Sequence, residues 1–163
     1  RDANYGRILM VSSNSGIYGN FGQTNYSAAK LAVVGFMNTL KLEGARSNIV
    51  VNALAPLAAT RIAEPSGIFN TYDPELVTPD AVAAIVTYLV SEDCTDSGNI
   101  VAATAGYYSR IQIMESEGVR VDPRTEMTPD KIAELWPQIH EMRNPQPYED
   151  ALSNLTAVMA KED

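Results

Sequence analysis

Arg7-Ile8-Leu9-Met10-Val11-Ser12 is a short apolar run, and Asn48-Ile49-Val50-Val51-Asn52-Ala53-Leu54-Ala55 is a second one, closed by Pro56. Between them lies residues 26–44, a proline-free segment rich in Ala and Leu that ends at Gly44. Apolar runs of this length, bounded by turn residues, read as buried strands, whereas the longer segment has the length of a helix. Gly44 is placed to act as its C-terminal cap. Strand, helix and strand in this order form a βαβ unit, which calls for a parallel sheet and a right-handed crossover.

The pattern continues in both directions from this unit. A Ser-, Asn- and Gly-rich stretch from Ser13 to Asn25 reads as a loop. A looser stretch spans Leu57 to Val77, and Thr78-Pro79-Asp80 then signals a helix start, with Thr78 at the N-cap and Pro79 in the first turn. That helix is expected to end near Glu92. Asn99 to Thr104 reads as a third strand, and Tyr107 to Met114 extends or follows it. Thr128-Pro129-Asp130 repeats the helix-start signature, and residues 129–142 place Ile132, Leu135, Trp136 and Ile139 on one face, expected to pack. After Asn144-Pro145-Gln146-Pro147 a last helix is expected over 149–160. The division is residues 1–106, of α/β pattern, and residues 107–163, a mostly helical extension.

The 163 residues are 45% hydrophobic and 20% charged, the balance of a globular chain able to bury a core. Twelve Lys and Arg stand against 20 Asp and Glu, a net charge of -8. Nucleic acids and anionic membranes are bound through basic patches, so neither is expected as a partner. A single cysteine, Cys94, rules out an internal disulfide framework and fits a reducing compartment. A cytoplasmic location is expected, with a peroxisomal one left open. His140 is the only histidine, and no Cys/His cluster suggests a metal.

Chemistry enters with Tyr26 and Lys30, one helical turn apart and so on one face. A phenol with its ordinary pKa near 10 is a poor acid/base at neutral pH. An ammonium beside such a group favours the anionic form, by roughly 4 kcal/mol at ~4 Å and an effective dielectric near 20. Ser13 follows the first strand, where ligands bind in open parallel sheets, and can donate a hydrogen bond to a substrate oxygen. Gly16, Gly19 and Gly22 are spaced G-x-x-G-x-x-G, unlike the dinucleotide turn, and are read as loop flexibility.

Ser13-Asn14-Ser15-Gly16, Tyr26-Ser27-Ala28-Ala29-Lys30 and Asn52-x-x-Ala55-Pro56 together resemble the active-site signature of the short-chain dehydrogenases/reductases. The resemblance runs from about Asn4 to at least Gly106. It implies a Rossmann-like parallel sheet with flanking helices, here its C-terminal half, plus the helical extension. It implies that Tyr26 is the general acid/base, that Lys30 assists it and binds the nicotinamide ribose, and that Ser13 polarises the substrate carbonyl or alcohol. Pro56, Ala59 and Thr60 would also contact the cofactor, NAD or NADP. Leu57 and Arg61 stand where the family pattern has a glycine and a threonine. Gly16 to Gln23 and the tail from Thr128 to Trp136 are similar to the peroxisomal (3R)-hydroxyacyl-CoA dehydrogenases and their bacterial relatives, which implies an acyl-CoA substrate.

Residues 26–44 leave little polar face, so both sides of this helix are expected to be covered, one by the sheet and one by a second subunit in a homodimer. The chain begins at Arg1 with the first strand close behind. The expectation is a C-terminal catalytic portion without the Gly-rich cofactor turn, inactive on its own. The alternative is a dimerising binding module that works without a cofactor.

Overall fold

The computed structural model describes residues 1–61, 67, 69–124 and 127–160. Two compact units divide it, Arg1–Ile111 and Gln112–Asp163.

The first unit carries a four-stranded sheet in the order β1-β2-β3-β4. Strands β1 (Gly6–Val11), β2 (Ile49–Pro56) and β3 (Ile100–Thr104) run parallel, and β4 (Tyr107–Ile111) returns antiparallel beside β3. In register, Gly6 faces Ile49 and Val11 faces Leu54. The long helix joining β1 to β2 is α2 (Thr24–Gly44), and α3 (Asp80–Leu89) lies between β2 and β3. This is a Rossmann-like α/β architecture with flanking helices.

Side-chain alternation along the strands sorts the core into two layers. Val50 and Leu54 of β2 join Val82 and Leu89 of α3, together with Cys94 and Ala103. On the other face Val51 and Ala53 join Val34 and Met37 of α2, with Ile8 and Met10 of β1 packed against them. Each helix therefore covers one face, and the central strand β2, buried on both, needs no polar alternation.

Asn52 is the exception, a fully buried amide in the middle of β2. Its Nδ2 donates to the Asp96 carbonyl at 2.8 Å, and its Oδ1 accepts from the Asn99 N–H at 2.9 Å. The side chain thus ties the central strand to the turn that leads into β3. Cys94, 1% exposed, lies beside it as a buried thiol.

Several local expectations change. The stretch expected as loop contains a short helix, α1 (Asn14–Tyr18), capped by Ser13. Gly44 is not a left-handed cap: its φ is -87, and a 3-10 turn, Ala45–Ser47, carries on to Asn48, which takes the left-handed conformation at φ 49. Gly44 is small for another reason, since a Cβ there would lie 2.9 Å from the Ile49 Cβ. Pro79 rather than Thr78 occupies the N-cap of α3, and that helix stops at Leu89, short of Glu92. Residues after Gly106 form a hairpin strand, β4, entered through Ala105 and Gly106 at φ 46 and 76. Two positive φ values in a two-residue loop suit the right-handed twist of paired strands. Part of the looser stretch from Leu57 to Val77 lies outside the described residues.

The second unit holds α4 (Pro129–His140) and α5 (Ala151–Ala160). At α4 the cap forms as the sequence suggests, with Thr128 Oγ1 accepting from the Lys131 N–H at 3.2 Å and Pro129 in the first turn. The expected packing face does not form as a whole: Leu135 and Ile139 are half-buried, while Ile132 and Trp136 are exposed. Trp136 stacks on His140, ring centroids 5.8 Å apart. The Arg124 guanidinium, donating to Asp122 Oδ1 at 2.9 Å, and the Arg124 N–H hold the Asp122 carboxyl below its ordinary range.

Candidate active site

The site forms where the parallel strands end. Val11 is the last residue of β1, Ser12 is buried, and Ser13 begins α1. Ser13 Oγ accepts from the Ser15 N–H at 3.2 Å, as an N-cap serine does. That bond uses a lone pair and leaves the Ser13 O–H free to donate.

Tyr26 and Lys30 lie in the first two turns of α2. Lys30 Nζ donates to the Val11 carbonyl at 3.0 Å and lies 5.7 Å from the Tyr26 ring centroid. The Ser12 hydroxyl donates to the Lys30 carbonyl at 2.7 Å. These two bonds, from opposite partners, stitch the start of α2 to the end of β1. An ammonium has three donors, so two remain on Lys30 after the Val11 contact. Tyr26 is 44% exposed, open to a ligand.

Gly16 completes the arrangement. It is buried, and a Cβ there would lie 2.8 Å from the Lys30 Cβ and 3.0 Å from the Leu31 N. Only glycine lets α1 approach α2 this closely, so Gly16 serves helix packing rather than the loop flexibility expected of it. Gly19 and Gly22 do match the loop reading, with φ 80 and 78.

Pro56 ends β2, the neighbour of β1, and Ala59 and Thr60 follow it. Pro56 is still in the sheet, opposite Ala103. Ala59 and Thr60 line a recess of about 320 Å³ with Gly67, Phe69, Asn70, Tyr72 and Pro74. A larger open cavity of about 1490 Å³ belongs to the second unit, between the 115–124 segment and residues that include Ile139 and Val158. None of the predicted site residues lines it.

Ser13, Tyr26 and Lys30 are therefore brought to one end of the sheet by α1, α2 and β1. Ser12 and Gly16 support them and were not singled out from sequence for that role. The paired serines after an apolar run, and a glycine three residues on, were the available signals. Asn52, part of the recognised pattern, is a structural residue behind the site. Among the described residues no group of His, Cys, Asp or Glu is placed to hold a metal, and no helix is long and apolar enough to cross a membrane.

Residues 1–66 match the family described as short chain dehydrogenase. The chain is 40% identical, over 144 residues, to peroxisomal multifunctional enzyme type 2 of Drosophila melanogaster, covering 85% of this chain and 23% of that protein. It is 44% identical, over 95 residues, to acetoacetyl-CoA reductase of an Acinetobacter species, covering 53% of this chain and 38% of that one. The solved structure of the full-length Drosophila enzyme superimposes with a TM-score of 0.78 at 34% identity, over 97% of this chain and 28% of the other. The chain spans less than half the length of these relatives.

Proposed function

Because this chain belongs to the short-chain dehydrogenase family, we propose that it is the catalytic portion of an NAD- or NADP-dependent oxidoreductase acting on 3-hydroxyacyl-CoA or 3-oxoacyl-CoA. The observation that carries the reading is the group at the end of β1: Ser13 with a free O–H, and Lys30 tied to the Val11 carbonyl with its charge near the Tyr26 ring. The substrate class is supported by the acetoacetyl-CoA reductase relatives and by the resemblance of Gly16 to Gln23 to the (3R)-hydroxyacyl-CoA dehydrogenases.

The free Ser13 O–H donates to the substrate oxygen and fixes it beside the Tyr26 hydroxyl. Tyr26 accepts the hydroxyl proton when the alcohol is oxidised and returns it to the carbonyl oxygen in the reverse direction. A bound nicotinamide supplies the hydride acceptor or donor that these side chains lack. The residues present fit its ribose, since the two remaining Lys30 donors suit a pair of neighbouring hydroxyls. Pro56, Ala59 and Thr60 are assigned to the same cofactor.

The natural protein is further proposed to be a homodimer through α2. Val34 and Met37 are buried against the sheet, but Leu31, Phe36 and Leu42 of the same helix remain exposed. A two-fold partner would cover them.

The test is Tyr26→Phe in the natural protein, with turnover followed by nicotinamide absorbance on 3-hydroxybutyryl-CoA. Loss of the proton relay should lower kcat by about 100- to 10,000-fold, with cofactor affinity largely kept. Full turnover in the variant would end the assignment.

A further inference from the structure

We propose that the open cavity of the second unit is a docking groove for the C-terminal tail of a partner protein, an extended peptide that pairs with the backbone of residues 118–121 and sets its terminal carboxylate on Arg120.

The groove begins where a short ladder ends. The Glu115 N–H donates to the Gln146 carbonyl and the Gln146 N–H to the Glu115 carbonyl, both at 2.9 Å. The Glu117 N–H donates to the Arg143 carbonyl, also at 2.9 Å. Gly118 then turns the chain at φ 70. Beyond that ladder, among the described residues, the backbone groups of Gly118, Val119 and Val121 have no hydrogen-bond partner. Val119 and Val121 are half-buried, and with Ile139, Pro145 and Val158 they line a cavity of about 1490 Å³. Backbone donors and acceptors left over beside apolar side chains suit a strand-adding peptide, whose main chain supplies affinity and whose alternate side chains supply specificity. The volume exceeds the ~300–1,000 Å³ usual for a small-molecule site.

Charge selects one end of that peptide. Glu115 Oε2 accepts from Asn154 Nδ2 and Glu117 Oε2 from Asn144 Nδ2, each at 2.8 Å, and Asp122 is paired with Arg124 at 2.9 Å. Arg120 also lines the cavity, and among the described residues it has no carboxylate within ion-pair distance. Its Nη2 donates to the Val158 carbonyl in the last turn of α5, the negative end of that helix. This bond pins the guanidinium at the α5 wall and uses one of its five N–H groups. The others form a planar fork that matches a carboxylate and holds it by charge-assisted hydrogen bonds. Glu115, Glu117 and Asp122 on the same walls repel a polyanion such as a nucleic acid. A single carboxylate at the end of a neutral chain is accepted where Arg120 stands.

The experiment screens the natural protein on an array of acetylated hexapeptides with free C termini, beside the same sequences ending in an amide. The tightest-binding sequence is then titrated in solution by fluorescence anisotropy. Loss of the terminal charge should weaken binding by about 10- to 100-fold. N-methylation of alternate peptide bonds, which removes backbone donors, should weaken it at least as much. Arg120→Gln should bind the acid and amide forms equally, at the affinity of the parent for the amide, with helix content by circular dichroism unchanged. Binding of no sequence, equal binding of acid and amide by the parent, or full binding of the N-methylated peptide would overturn the proposal. So would release of a second subunit by the peptide in sedimentation, which would make the cavity an interface between copies of this chain. The amide and N-methyl comparisons leave the protein unaltered, so they decide the matter even if Arg120→Gln loosens α5.

Discussion

Gly16→Ala perturbs the site without touching any reacting atom. The new Cβ would sit 2.8 Å from the Lys30 Cβ and 3.0 Å from the Leu31 N. Carbon atoms in contact ordinarily stay about 3.5–4.0 Å apart, so α1 and α2 must part by roughly 1 Å at this point. The obstructing atoms are a Cβ and a backbone nitrogen, so no rotamer change relieves the clash. Ser13 caps α1, whereas Tyr26 and Lys30 belong to α2, and the strain therefore falls between the two elements that carry Ser13 and Tyr26, the groups proposed to meet one substrate oxygen. A misplacement of about 1 Å costs on the order of 100-fold in rate. Overpacking of this kind costs about 1–3 kcal/mol of stability, set against a helix-propensity gain for Ala over Gly of at most ~1 kcal/mol.

The assay is kcat/KM for hydride transfer in the natural protein, measured beside urea unfolding at the same temperature. The expected result is a fall of about 100-fold in kcat/KM in a protein that is still folded. Gly16→Val should be worse on both counts. A Gly16→Ala variant within about twofold of the parent in kcat/KM would show that the α1–α2 contact does not align the site.

Two further predictions follow from other parts of the fold. Asn52→Leu keeps the branched shape in a larger side chain but strands the Asp96 carbonyl and the Asn99 N–H, which should cost about 2–5 kcal/mol in urea unfolding; a change under about 0.5 kcal/mol would refute the buried-tie account. Phe36→Asp places a charge on the exposed apolar face of α2 and should convert the proposed dimer to monomer in sedimentation, while an unchanged mass would locate the interface elsewhere.

The α/β architecture was legible because its signals are long and redundant. The β1 and β2 runs are mostly apolar, and the twenty-one proline-free residues of α2 lie between them. Short-range geometry was not legible in the same way. α1 is five residues long, too short for periodicity to register against a Ser- and Gly-rich background. Gly44 and Gly16 look like a cap and a flexible loop residue in sequence, yet both are small because another element comes close: Ile49 in one case and Lys30 in the other. Contacts made across elements leave no local pattern to read. The apolar stripe on α4 shows the converse, a clear pattern whose Ile132 and Trp136 remain exposed.

The same distinction explains how the site works as a unit. Tyr26 and Lys30 are paired by helix spacing alone, which any sequence can supply. What makes the pair specific is its attachment to the sheet, through the Lys30 ammonium on the Val11 carbonyl and the Ser12 hydroxyl on the Lys30 carbonyl. Those bonds run in opposite directions between the same two elements, so α2 can neither slide along β1 nor rotate without breaking one of them. Ser13 is the next residue after Ser12, and its position is fixed by the same ties. The geometry of three side chains from two elements thus depends on a strand end that is itself held by β2, where the Ser12 N–H donates to the Leu54 carbonyl at 2.7 Å. A rigid sheet end, rather than the loop that follows it, sets the distances on which the proposed proton transfer depends.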